Sequence, residues 1–179
     1  TQAKTLFPYT TLFRSVWPMT ISFADRLTQL PAGFSARTPE RVDIKACTKI
    51  VRDVDIACCG ETTTTEIELE ADLFSHYTHG PAGTAVIIHN GEVVAFINIF
   101  DELQDNRGVF YDIFVSPSIA ADISTEISME LIKHMEVYTK QLMKDYKINF
   151  QFFRITCFLV IFLFISIEAV TQRFYAVVF

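Results

Sequence analysis

Basic side chains are in short supply: Lys and Arg together number 15 against 21 Asp and Glu, a formal net charge of −6. A broad nucleic-acid surface is excluded on that ground, because a phosphate backbone needs clustered cations. Cysteine is sparse too. The four are Cys47, Cys58, Cys59 and Cys157, with no CxxC pair and no zinc spacing. Cys58 and Cys59 are adjacent, poor geometry for a disulfide, so reduced thiols and a cytoplasmic location are expected. His76 and His79 stand three apart with Asp72 upstream, but no third ligand accompanies them, and no metal site is expected. There is no internal repeat, and no low-complexity tract beyond Thr62–Thr65. What remains is ordinary globular chemistry: 179 residues, 50% apolar and 20% charged, enough for one domain with a buried core.

Both ends stand apart from that domain. Thr5 to Ser15 reads TLFPYTTLFRS, which looks like the in-frame translation of a sequencing adapter. Residues 1–18 are therefore expected to be an artefact or disordered, with Met19 as a plausible start. Pro8 and Arg14 interrupt any signal-peptide core. Residues 147–179 form an apolar tail. Its uncharged run from Ile155 to Ile167 falls short of the roughly 20 residues of a spanning helix. Extended back to Ile148, it is interrupted by Arg154. Three readings stand: a membrane segment within 148–167, the last strand and helix of the fold, or non-native sequence.

Between them lies residues 30–146. A short strand is predicted at Phe34–Thr38. A helix then opens with Thr38 as N-cap and Pro39 at the first helical position. Ile44, Cys47, Val51, Val54 and Cys58 make one apolar face, and Gly60 stops it. A second helix spans about Glu66 to Tyr77, capped from the threonine run, with Ile67, Leu69, Leu73 and Phe74 inward. Asn90-Gly91 between AVIIH and EVVAFINIF predicts a hairpin with a type I′ turn. VFYDIFV is a third strand of this region, closed by Ser116-Pro117. A long helix from about Ser124 to Leu142 buries Ile127, Leu131, Met135, Tyr138 and Leu142.

This order resembles the GNAT superfamily of acyl-CoA-dependent N-acyltransferases. The matching pieces are Leu30-Pro31-Ala32-Gly33-Phe34 leading into the first strand, TAVIIHNGEVVAFINIF around its tight turn, and VFYDIFVSP ending in Val115-Ser116-Pro117. The helix containing MELIKHMEVYTKQ resembles the one after the coenzyme loop. The resemblance implies an α/β fold of the α+β kind with a mixed sheet, truncated if the tail is not native. It implies acetyl-CoA as cosubstrate and a small-molecule or peptide amine as acceptor. Two-domain proteins of the mycothiol-synthase type begin similarly, which implies a second GNAT domain as partner.

The resemblance also implies roles. Backbone groups of Ile113, Phe114 and Val115 would hold the coenzyme arm. Asp112 would be the base, and Tyr175 in EAVTQRFYAVVF the acid for the leaving thiolate, on a last helix. Plain strand pairing, a solvated carboxylate and an aromatic in an apolar tail are the structural alternatives. The family's phosphate loop, resembling Arg/Gln-x-x-Gly-x-Gly/Ala, is replaced by Ala120-Ala121-Asp122-Ile123-Ser124-Thr125, without Gly or Arg. Ser124 and Thr125 can cap the helix and bind an anion, while Asp122 repels one. Two other functions follow: an inactive GNAT-like domain that binds a partner, and a tail-anchored membrane protein. The acidic run Glu66, Glu68, Glu70, Asp72 would attract a cationic acceptor or simply be solvated.

Overall fold

The computed structural model describes residues 22–74, 80–101, 109–145, 153–158 and 173–178. The elements are β1 (Phe34–Arg37), a 3-10 turn (Arg41–Asp43), α1 (Ile44–Cys59), α2 (Glu66–Phe74), β2 (Ala85–His89), β3 (Glu92–Asp101), β4 (Val109–Val115), α3 (Ala121–Asp145), β5 (Phe153–Phe158) and β6 (Arg173–Val178). They form a six-stranded sheet of order β1-β2-β3-β4-β6-β5. All five pairings are antiparallel.

Helices cover both faces. On one, α3 lays down its predicted stripe of Ile127, Leu131, Met135, Tyr138 and Leu142, all fully buried against Ile97, Ile99, Tyr111 and Ile113 of the sheet. Each such burial stabilises by roughly 1.5–3 kcal/mol. Phe23, Ala24 and Leu27 close the edge of this core, with Phe23 meeting Tyr138 edge-on at 5.5 Å. On the other face, α1 and α2 pack Cys47, Ile50, Val51, Val54, Leu69 and Leu73 onto Val86, Phe96 and Phe114.

The hairpin forms as predicted. Asn90 and Gly91 take φ of 52° and 83°, the positive values a type I′ turn requires. Farther along, Ile87 pairs with Ala95 and Ile88 with Val93, so Val94 is bulged out of the ladder. Its carbonyl accepts the Ser116 N–H at 2.8 Å and ends β4.

Several expectations need correcting. Thr38 does not cap α1. Glu40 caps the 3-10 turn in a reciprocal box with Asp43, because Arg37 already grips Asp43 through two bonds of 2.6 and 2.7 Å. Cys58 is exposed, as is every residue from Ile56 to Gly60, which caps α1 at φ 81°. Ile67 is 81% exposed. Thr65 and Glu68 cap α2 reciprocally and fix its rotation. With Leu69 and Leu73 inward, Ile67 falls about 200° round from Leu69. Among the described residues the tail contributes two strands, and Tyr175, expected on a last helix, lies on the second of them. RFYAVV is rich in aromatic and β-branched residues and pairs on both sides, with β4 and with β5. The adapter-like segment, His76, His79 and residues 159–172 lie outside the described residues. Among the described residues no helix is long and apolar enough to cross a membrane.

Candidate active site

The sheet's alternation decides where each candidate points. On β4, Val109, Tyr111 and Ile113 enter the α3 core, whereas Phe114 belongs to the α1/α2 core. Asp112, half-buried, is therefore on the α1/α2 face. Its register partners are Asn98 on β3 and Arg173 on β6. Asn98 is only 2% exposed. Its Oδ1 accepts the Thr84 hydroxyl at 3.1 Å, and its Nδ2 donates to the Asp72 carbonyl at 3.3 Å. Thr84 immediately precedes β2, whose Ala85 pairs with Ile97, so it extends the same row. A line of polar residues thus crosses an otherwise apolar face beneath the C-terminal half of α2. Partial desolvation, with the like charge of Glu68 added, holds the Asp72 carboxyl above its ordinary range.

Ile113, Phe114 and Val115 follow Asp112 directly. Their side chains serve the cores: Ile113 toward α3, Phe114 stacked on Phe96 at 5.1 Å, and Val115 half-buried against the α3 side. Their backbone pairs with β3 through Val115↔Ala95, while the described ladder with β6 covers Val109–Asp112. Tyr175, expected on a helix, is on β6 opposite Phe110 and two residues beyond the Asp112↔Arg173 pair. The fold therefore brings Tyr175 into the same strand neighbourhood as Asp112.

At the start of α3 the expectation fails in detail. The helix begins at Ala121, so Ser124 and Thr125 are its fourth and fifth residues and do not cap it. The Ser124 N–H already donates to the Ala120 carbonyl at 2.8 Å, and the Thr125 hydroxyl to the Ala121 carbonyl at 2.8 Å. The Ile123 N–H donates to the Asp122 carboxylate at 2.9 Å. An acid here suits the positive end of the helix. It also occupies with the chain's own charge an amide that would face a phosphate.

Two groups that matter, Asn98 and Thr84, are not marked by any motif. The signal was a single amide-bearing residue inside the apolar strand VVAFINIF, where nothing but a bonded role justifies it. Among the described residues there is no cluster of three metal-ligating side chains.

This arrangement of sheet and helices superposes on a GCN5-related N-acetyltransferase from Sphaerobacter thermophilus with a TM-score of 0.59 over 74% of the chain, at 16% identity. The chain has the GNAT N-acetyltransferase fold. It spans 40% of the length of the Sphaerobacter protein. A GCN5-related N-acetyltransferase from Kribbella flavida matches at a TM-score of 0.45, 15% identity, over 83% of this chain and 99% of that one. The yncA protein of Salmonella typhimurium, whose structure holds its cofactor acetyl-CoA, matches at 0.41 and 12% identity over 81% and 92%. No family model and no curated protein matches the sequence. Within the GNAT fold, β4 carries Asp112 and runs through Val115-Ser116-Pro117 directly into α3.

Proposed function

We propose that the protein is an N-acetyltransferase taking its acetyl group from acetyl-CoA and delivering it to an amine. The observation that carries this reading is the placement of Asp112 in the GNAT fold, on the strand that leads into α3 and on the face covered by α1 and α2. In the reaction, the amine nitrogen bonds to the thioester carbonyl carbon and the carbon–sulfur bond breaks. Asp112 takes the proton the amine sheds, and Tyr175 supplies one to the departing thiolate. The backbone of Ile113–Val115 aligns the acyl donor. Of the acidic residues of α2, Glu66, Glu68 and Asp72 favour a cationic acceptor, while Glu70 is already paired with Arg41.

The first turn of α3 fits a pyrophosphate poorly, since Asp122 takes the Ile123 amide and neither Gly nor Arg is present. Donor binding therefore depends mainly on β4. That misfit favours a second reading, a GNAT-like domain that has lost the coenzyme and serves a partner, such as a second GNAT domain. Calorimetric titration with acetyl-CoA separates the two. Saturable binding, with acetyl transfer lost in Asp112→Asn, supports the enzyme; no binding at millimolar acetyl-CoA excludes it and leaves the second reading.

A further inference from the structure

We infer that Asn98 is a positioning residue for Asp112, the two forming one polar unit across β3 and β4 in which Asn98 sets the orientation of the carboxylate. The inference deepens the reading of Asp112 as the base. An amide buried to 2% exposure is costly unless its hydrogen bonds are made. Asn98 makes them at both ends, to the Thr84 hydroxyl and the Asp72 carbonyl. The two contacts allow one orientation, because a flipped amide would set its oxygen against the Asp72 carbonyl. β2 and β4 flank β3 on opposite sides. With Oδ1 turned to Thr84 beside β2, the positive Nδ2 end lies away from β2, on the side of β4 and α2. There Asp112 is the directly opposed residue. Side chains so paired have Cβ atoms about 4.5–5.5 Å apart, close enough for a fixed dipole to act on a carboxylate.

Other titratable groups belong to the elements around Asp112. α2 contributes Asp72, with Glu68 a turn earlier; α1 contributes Cys47; β6 has Arg173 at the register position. Asn98 differs from the acids and from Arg173 in carrying no charge, and from Cys47 in presenting an amide dipole held at both ends. A simpler role, tethering α2 to the sheet through the Asp72 carbonyl, would leave the proton affinity of Asp112 unchanged.

The test is a carboxyl-carbon NMR titration of the full chain, with Asp112 assigned by its loss in Asp112→Asn. The Asp112 titration is expected to move up by about one pH unit in Asn98→Leu, further in Asn98→Asp, and less but in the same direction in Thr84→Val. The acid limb of kcat/KM for acetyl transfer moves with it. An unchanged Asp112 titration in Asn98→Leu overturns the inference. If that variant does not fold, an unchanged titration in Thr84→Val does so instead. The Asp112→Asn activity assay stands apart: full activity there removes Asp112 as base, whether or not the titration couples it to Asn98.

Discussion

The carboxylate of Asp122 should weaken acetyl-CoA binding, and Asp122→Asn tests this with little other change. Asn keeps an oxygen that accepts the Ile123 N–H but removes the charge. Two phosphate charges about 5 Å from an exposed carboxylate feel about 0.8 kcal/mol of repulsion each at the dielectric of water. Screening over a Debye length of about 8 Å roughly halves this, to about 0.9 kcal/mol in all, or four- to five-fold in Kd. Titration calorimetry of wild type and Asp122→Asn with acetyl-CoA at physiological ionic strength should show that gain. At about 1 M salt it should fall below two-fold. The same substitution removes a favourable acid from the positive end of α3 and should cost about 0.3–1 kcal/mol of stability. Equal or weaker binding by Asp122→Asn, or a gain indifferent to salt, would refute the argument.

Three further outcomes follow from the same structure. Asp43 is 4% exposed, and its carboxyl titrates below its ordinary range: burial opposes this, but the Arg37 hydrogen bonds and the Glu40 amide outweigh it. Its folded-state pKa lies under its unfolded value, so its contribution is complete above the ordinary carboxylate range and is lost as pH falls through the folded value. Arg37→Ala should cost about 2 kcal/mol near neutrality, with the deficit shrinking in denaturant melts taken down to about pH 2. Glu130, 6% exposed, accepts the Gln29 N–H at 3.1 Å and lies 2.8 Å from the His134 ring nitrogen. Glu130→Ala should destabilise by about 1–3 kcal/mol and speed exchange of the Gln29 amide, read by hydrogen-exchange NMR. Burial pushes the Cys47 thiol up to about 12. Native-state alkylation followed by peptide mapping should label Cys58 and Cys59 and spare Cys47 until the chain is unfolded.

The sequence was legible where one local rule spoke alone. Asn90-Gly91 determined the hairpin because few residue pairs accept two positive φ values. The α3 stripe determined its buried side because five apolar positions agreed on one face. Legibility failed where two interactions competed for one group. Thr38 lost the cap because Arg37 and Glu40 had organised Asp43 first. Ser124 and Thr125 lost the cap because the helix starts earlier, at Ala121, with Asp122 holding the Ile123 amide. Arg173–Val178 misled because Phe174-Tyr175 suits a helix or a strand, and only the edge of β4, distant in sequence, selects the strand. The polar row under α2 was the hardest to foresee. Thr84, Asn98 and Asp112 are unremarkable singly, and only sheet register aligns them.

The sheet order has a bearing on how the molecule assembles. β6 follows β5 in the chain but lies between β5 and β4 in the sheet. Emerging from the ribosome, the strands through β4 can pair with one another, but β4 keeps an unpaired edge and β5 has no neighbour until Arg173–Val178 arrives. Joining residues as far apart as Val109 and Ala176 closes a long loop, a slow step that leaves a hydrophobic strand edge waiting. Co-translational folding should therefore stall at β4. A chain cut before Arg173 should aggregate through that edge, even with the acyltransferase-like strands β1–β4 and helices α1, α2 and α3 intact.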